Sequence, residues 1–315
     1  MLVSFGVVIM DMFPSEKGVK LTDVKNFIPT PGGAAANVAV AAQRLGVKSA
    51  FMGKVGDEQF GRYLHDVLYA EGIDTRGMIF DKRIRTTLNF HAIRPDGAVE
   101  YLFYRNPGAD MSITPGELHQ DLLKEAEVFH FDSLSITDEP CRSAVDEAMR
   151  RCKRSGALIS FDVNYRDVLW PNVKEAKDRI VEYAVRSDIV KFNETELELF
   201  PPGDNLVQNL LNAGTKLVLV TLGGKGVYYV HGDMSGTLAG FKTAAVDTIG
   251  CGDSFIAGFL TCVIKEKRLD AAYSADELER YCRFANAAAA LTATKHGCIP
   301  AMPRLESVLD LLRRS

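Results

Sequence analysis

Apolar runs of strand length alternate with amphipathic stretches along almost the whole chain. LVSFGVVIM is followed by ANVAVAAQRLG, then SAFMGKVG, then EQFGRYLHDVLYAEG; VFHFDSL, ALISFDV, DIVKFN and KLVLVTL continue the series, each beside helix-like sequence. Strands that are apolar throughout are buried on both faces, and the helices between them supply the covers. The pattern predicts a mostly parallel sheet between two layers of helices, with ligands outside the carboxyl ends of the strands. MLVSFGVVIMD reads as a single first strand that Asp11 closes.

Two stretches break the alternation. In residues 86–104, Leu88, Phe90 and Ala92 oppose Val99, Tyr101 and Phe103 around Asp96-Gly97, which is a hairpin signal. Residues 16–29, EKGVKLTDVKNFIP, also read as short strands. Together they predict a small β appendage, built from segments at about 12–31 and 84–106, that leaves the core twice and folds over a site. Residues 1–315 are otherwise one domain, with no internal repeat and no long linker.

Composition narrows the function classes. The 315 residues are 47% hydrophobic and 25% charged, with a formal net charge of -4. A mildly acidic chain without a Lys/Arg block offers nothing to nucleic acid or to an anionic membrane surface. Six cysteines, at 141, 152, 251, 262, 282 and 298, form no CxxC pair and read as buried thiols of a reducing cytoplasm. The apolar start has no basic residue before it and Asp11 cuts it short, so neither a leader nor a membrane span is expected.

The candidate chemistry begins at Ala244, in AAVDTIGCGDSFIAGFLTCVIKEK. Phe255, Ile256, Phe259, Leu260, Val263 and Ile264 recur at helical spacing, so a helix starts near Gly252. Gly250, Cys251, Gly252 and Asp253 form its first turn and approach, where free amides and the helix dipole suit an anion. Taken alone, Asp253 reads first as a helix cap and only second as a catalytic group. No GxxxxGK(S/T) and no GxGxxG occurs, which argues against a Walker-type NTPase and a dinucleotide-dependent oxidoreductase.

Elsewhere, TPGGAAANVAVAAQRLG sets Gly32 and Gly33 before a helix of small residues, with Asn37 one turn inside. FDVNYRDVLW places Asp162, Asn164 and Arg166 past a strand end, and KFNETE places Asn193 and Glu196 one helical turn apart. Such a pair positions metal-bound waters or merely starts a helix. LVTLGGKGVYYV puts Thr221 at a glycine-rich bend, which also fits a plain hairpin. The six histidines follow no pattern that assigns them chemistry.

The order of these segments resembles the ribokinase-like (PfkB) family of sugar kinases. DTIGCGDSF is similar to its C-terminal signature, D-T-x-G-A-G-D, and PGGAAANVA to its N-terminal one, while FYRNPGAD, VTLGGKGV and NAAAALTAT extend the likeness over nearly the whole chain. The resemblance implies the ribokinase-like three-layer α/β/α fold with a β-sheet lid. It also implies ATP-dependent phosphoryl transfer to a sugar hydroxyl, with Mg2+ as cofactor and a homodimer formed through the lid. Asp253 matches the catalytic base, and the backbone of Gly250, Cys251 and Gly252 matches the anion hole. Asp11, Gly32, Gly33, Asn37, Phe90, Arg105 and Arg166 match the sugar side. Asn193, Thr221, Gly223, Gly226 and Asn286 match the nucleotide side; Asn193 and Glu196 match the magnesium motif. Asp247 and Thr248 match a potassium site. Cys251 departs from the usual alanine and Val163 from a common proline, and oxidation of the Cys251 thiol beside the phosphate is an expected route to inhibition.

Within the family, YRNPGAD and FDVNYRDVLW are most similar to bacterial fructokinases, so D-fructose is the expected acceptor. A 2-keto-3-deoxygluconate kinase, which carries an arginine where Arg105 stands, and a ribokinase are the alternatives. An inactive sugar or nucleotide sensor on the same fold would have no use for a base at position 253.

Overall fold

The computed structural model describes residues 1–16, 18–95 and 99–314; the Asp96-Gly97 turn of the expected hairpin lies outside them. The chain runs β1 (Leu2–Phe5), β2 (Ile9–Pro14), β3 (Phe27–Gly32), α1 (Ala34–Arg44), β4 (Ser49–Gly56), α2 (Gln59–Ala70) and β5 (Asp74–Asp81). It continues through β6 (Leu88–Ile93), β7 (Val99–Tyr104), α3 (Gln120–Glu125), β8 (Val128–Asp132), α4 (Cys141–Arg154), β9 (Leu158–Asp162) and α5 (Val173–Ala184). Then come β10 (Ile189–Asn193), α6 (Glu194–Glu198), α7 (Leu206–Ala213), β11 (Leu217–Thr221), β12 (Val227–His231) and β13 (Met234–Leu238). The last helices are α8 (Cys251–Lys265), α9 (Ala275–Thr292) and α10 (Leu305–Arg313).

Among the described residues a nine-stranded sheet has the order β13-β12-β11-β10-β9-β8-β1-β4-β5. All neighbours from β11 to β5 are parallel, and β12 and β13 add an antiparallel edge. Side chains leave each strand to alternate faces, which is why the strands are apolar throughout. Leu2, Phe51 and Leu217 pack with α1, α2, α8 and α9, whereas Val3, Met52 and Val218 pack with α3, α4, α5 and α7. Burying a side chain such as Phe131 or Phe161 completely stabilises the fold by about 1.5–3 kcal/mol. In the first layer α8 lies close against α9, because a Cβ on Gly258 would sit 3.0 Å from the Ala285 backbone. Among the described residues no helix is long and apolar enough to cross a membrane.

The sheet winds one way from β1 to β4 and β5 and the other way from β8 to β11, so its switch point lies between β1 and β8. Ligand sites form at such points because the diverging connections leave a crevice above the strand ends.

The expected single first strand is two strands in two sheets. Gly6, at φ 142, breaks it, and a Cβ there would lie 2.5 Å from Ser135 Oγ. β1 pairs in the large sheet, while β2 pairs with β3 and β6 and carries Asp11 into a four-stranded sheet of order β3-β2-β6-β7. The 16–29 stretch is half right: Leu21–Asp23 is a 3-10 turn and the strand begins at Phe27.

The faces of the hairpin also differ from expectation. Phe90 stands opposite Leu102, and His91 opposite Tyr101. Leu88, Phe90 and Ala92 therefore share a face with Leu102 and Tyr104, and Tyr101 and Phe103 share the other with Asn89 and His91. A hairpin pairs residues by register, and a turn one residue longer or shorter reverses every face.

Candidate active site

The first turn of α8 begins at Gly250, whose φ of 82 is closed to most residues. No side chain caps this helix. Among the described residues nothing accepts from the backbone amides of Gly250, Gly252 or Asp253, while that of Cys251 turns weakly to Thr248 O at 3.3 Å. Three free amides at the positive end of a 15-residue helix are a ready anion site. The Asp253 carboxylate is not bonded to the helix at all. It accepts from Asn37 Nδ2 at 2.8 Å, across 216 residues of chain, and Asn37 Oδ1 is buried with no partner among the described residues.

Charge is concentrated beneath this turn. β9 and β10 run side by side and bring Asp162 to Lys191, whose ammonium donates to both carboxylate oxygens at 2.9 Å. A Cβ on Gly252 would lie 3.1 Å from Lys191 Nζ, so glycine there lets the ammonium come up under the anion site. Burial works against the Lys191 charge, but Asp162, Glu196 and Asp253 outweigh it and hold its pKa above the usual lysine value. Burial, with the charge of Asp162, pushes Asp253 up to about 6, against the pull of Asn37, Lys191 and Arg166. Asp132, in register with Asp162 on β8, is pushed by burial and by these two acids to about 7.

A cavity of about 710 Å³ opens over this turn. On one side it is walled by the small sheet, through Asp11, Asn89, His91, Tyr101 and Phe103. Burial raises Asp11 to about 6, although hydrogen bonds from Asn89 (2.8 Å) and the Cys298 thiol (3.5 Å) favour its charged form. Arg166 lies across the cavity with its guanidinium 5.5 Å from the Tyr101 ring.

The other side is built at the ends of β10 and β11, where Asn193 and Thr221 are in register. Asn193 and Glu196 form a capping box: Asn193 Oδ1 accepts from the Glu196 amide and Glu196 Oε2 from the Asn193 amide, both at 2.8 Å. Gly226 at φ 112 turns the chain from β11 to β12 so closely that a Cβ would sit 1.9 Å from Leu238 O. Thr221, Gly223, Gly226 and Asn286 all line the cavity, and Asn286 is fixed by donating to Ala239 O at 3.2 Å.

One cavity therefore joins a polar sheet face, a buried carboxylate beside unpartnered amides, and a glycine-lined cleft. The model of the pfkB family carbohydrate kinases matches residues 1–305. The chain belongs to that family. It is 44% identical to fructokinase-2 of Solanum lycopersicum, over 99% of this chain and 96% of that protein. The fructokinase of Xylella fastidiosa, solved with bound ATP, superposes at a TM-score of 0.91 with 31% identity, over 99% of this chain and 98% of that one. A double-mutant fructokinase of Vibrio cholerae O395, solved in a fructose, ADP and potassium ion bound form, superposes at 0.87 with 26% identity, over 99% and 97%. The likeness is thus not specifically bacterial, since a plant enzyme matches at higher identity than either bacterial structure.

The carbohydrate kinase, a phosphotransferase acting on an alcohol group, gathers most of the expected residues in this cavity. Asp11, Gly33, Asn37, Arg166, Asn193, Glu196, Thr221, Gly223, Gly226, Thr248, Gly250, Cys251, Gly252, Asp253 and Asn286 all line it. Three do not. Gly32 lies under Asp11, where a Cβ would be 2.0 Å from Oδ2, so it makes room for the carboxylate. Phe90 turns to the outer face, against Phe27 and Tyr104. Arg105 is buried, with Nε 2.6 Å from Asp110 Oδ2 and Nη2 on Leu134 O at 2.7 Å. Asp247 stands behind the wall, its carboxylate accepting from the amides of Ile249 and Gly297.

Sequence reasoning missed Lys191, Asn89, His91, Tyr101 and Cys298. An ammonium inside the apolar run DIVKFN was a usable signal, because a lysine in a strand buried on both faces needs a partner. The expected oxidation of Cys251 loses force, as burial and the charges of Asp247 and Asp253 push its thiol up to about 12 and keep it protonated.

Proposed function

We propose that the kinase transfers the γ-phosphoryl group of ATP to a hydroxyl of D-fructose, with Asp253 as the base. The observation that carries this is the Asp253 carboxylate, buried, free of any capping bond and held by Asn37 beside three unpartnered amides. The amides and Lys191 receive the phosphoryl charge, and Asp253 accepts the hydroxyl proton as the bond to phosphorus forms. Asp11, Asn37 and Arg166 hold the sugar hydroxyls; Gly33, at φ 102, turns the chain into α1 beside them. The four-stranded sheet is the lid. Asn193, Thr221, Gly223, Gly226 and Asn286 cradle the nucleotide.

Neutral sugar is favoured over 2-keto-3-deoxygluconate because Arg105, the cation expected to meet a carboxylate, is taken by Asp110. The fructokinase relatives point to fructose over ribose.

Asn193 and Glu196 suit Mg2+ held through water. Both Glu196 oxygens already accept amides, from Tyr165 and Asn193 at 2.8 Å, which leaves further lone pairs for metal-bound water. Among the described residues no group of three or more acids, histidines or cysteines could hold an ion alone, consistent with a metal that leans on phosphate and keeps its waters. When bound, Mg2+ would neutralise charge on the phosphates. For potassium, Asp247 ties the 247–249 turn to the 296–297 loop, through Ile249 N at 3.0 Å and Gly297 N at 3.2 Å, and their carbonyls would coordinate it.

The test is ADP release with fructose, 2-keto-3-deoxygluconate, ribose and adenosine, each with Mg2+ in potassium or in a bulky organic cation. Fructose should give the highest kcat/KM. A higher value for another acceptor removes the fructose reading, and equal rates in the two cations remove the potassium site.

We further propose a homodimer through the outer lid face. Phe27, Phe90 and Tyr104 pack ring to ring there, and Leu102 and Tyr104 remain 46% and 63% exposed. Tyr101 and Phe103, on the opposite face of the hairpin, face the cavity instead. Sedimentation should give a dimer that Leu102→Asp dissociates; a monomeric wild type at micromolar concentration would refute it.

A further inference from the structure

The underside of the lid carries a row of hydrogen bonds that the reaction as described does not use. The Cys298 thiol donates to Asp11 Oδ2 at 3.5 Å, Asn89 Nδ2 donates to Asp11 Oδ1 at 2.8 Å, and Asn89 Nδ2 also lies 3.4 Å from His91 Nδ1. The Asn89 amide has one possible orientation, because turning it round would set its oxygen against the carboxylate. With one amide hydrogen on Asp11, the second meets His91 Nδ1, which therefore accepts. Burial holds the ring neutral, with its pKa near 4, so its single proton sits on Nε2.

The row ends in one acceptor and one donor with nothing to bind. Asn89 Oδ1 and His91 Nε2 are buried, and no hydrogen-bond partner for either occurs among the described residues. Both residues line the cavity and lie on the face of β6 that also carries the contacts to Asp11 and Phe13. The neighbouring wall is otherwise aromatic, through Phe13, Tyr101 and Phe103, so an apolar pair at 89 and 91 would have closed it without stranding two polar atoms.

A hydroxyl both donates and accepts, and so matches this pair. A carboxylate or phosphate only accepts, and would face the Asn89 oxygen and the Asp11 carboxylate. We propose that Asn89 and His91 form a hydroxyl-reading subsite of the lid, where one hydroxyl of the acceptor donates to Asn89 Oδ1 and accepts from His91 Nε2. This rests on the sugar-kinase reading of the cavity and makes the acceptor a neutral polyhydroxy sugar with a hydroxyl under the lid.

The experiment measures kcat/KM of the wild type and His91→Phe for the best sugar of the acceptor panel and for each of its monodeoxy analogues. Phenylalanine keeps the ring packing against Phe13 and Tyr101. In the wild type one analogue should lose about 10- to 100-fold relative to its parent, the loss expected when a buried donor and acceptor go unpaired. In His91→Phe that penalty should shrink below about threefold, while the penalties of the other analogues persist. Should this variant fold poorly by its melting curve, Asn89→Ala with the same sugars gives the same reading. If no analogue's penalty falls in either variant, or if all sugars weaken equally, the subsite is refuted. A wild type that phosphorylates no neutral sugar overturns the kinase reading instead, which keeps the two failures apart.

Discussion

Asp253→Asn is expected to lower kcat by about 10² to 10⁴ while leaving the dissociation constants of ATP and sugar within a few-fold of wild type. The loss corresponds to ~3–5 kcal/mol at 1.36 kcal/mol per factor of ten. Phosphoryl transfer passes through a loose transition state, so the base need not strip the hydroxyl early; it must be ionised and placed to take the proton late. Asparagine keeps the size and can still accept from Asn37, but it cannot take the proton. A cap would behave differently, and the geometry already speaks against one, since α8 has no side-chain cap and the carboxylate is bonded to Asn37. Turnover above about a tenth of wild type would end the assignment of Asp253 as base.

The same substitution should not destabilise the fold at neutral pH. Burial raises the folded pKa of Asp253 from 3.8 to about 6. A raised carboxylate favours its neutral form when folded, so ionisation opposes folding: the penalty is absent below 3.8, grows between the two values and is complete above about 6. Removing it should hold or raise the Tm at pH 7.5, by an equivalent of up to ~3 kcal/mol. For the wild type, kcat should fall as pH drops through about 6, where Asp253 becomes protonated.

Lys191→Met is expected to cost about 10² to 10³ in kcat, with a smaller change in KM. Its ammonium lies under Gly252, and positive charge fixed beside unpartnered amides acts most strongly on the charge that spreads over the phosphoryl oxygens in transfer. Lys191 also pulls the Asp253 pKa down while Asp162 pushes it up, so its loss should move the acid limb of kcat to higher pH. A purely structural ion pair makes a different prediction. Replacing both partners of a buried pair is often harmless, whereas removing one strands the other. Lys191→Met combined with Asp162→Asn should therefore fold well but stay slow, with no upward move of the acid limb. Recovery of wild-type kcat in the double variant would assign Lys191 to the fold alone.

Most of the layering was legible in the chain because period and composition report burial locally. Strands apolar on every residue require two covers, and the observed sheet has them. The helix start, expected near Gly252 and observed at Cys251, was legible within a residue because glycines ahead of helical spacing mark the approach to a helix, and Gly250 takes a φ of 82 there. The face of the hairpin was not legible, because it depends on a turn length that apolar counting does not resolve, so nothing in the pattern corrected the placing of Phe90 on the sugar side by resemblance. Arg105 misled because a charge near a predicted lid looks available until its buried partner, Asp110, is known.

By itself, then, the sequence determined the three-layer α/β/α core, the place of the anion turn and the candidacy of Asp253, all of which follow from neighbours within one or two turns of chain. Tertiary structure alone decided what those groups meet. Asn37 reaches Asp253 from a helix 216 residues away, Asp162 and Lys191 become a pair only when β9 and β10 lie side by side, and Gly6 sends Asp11 into the four-stranded sheet. Cys298 reaches Asp11 across 287 residues and completes the row that ends at His91. Contacts at such separations are set by how strands register and layers pack, and that information is spread over the whole chain rather than written at either residue.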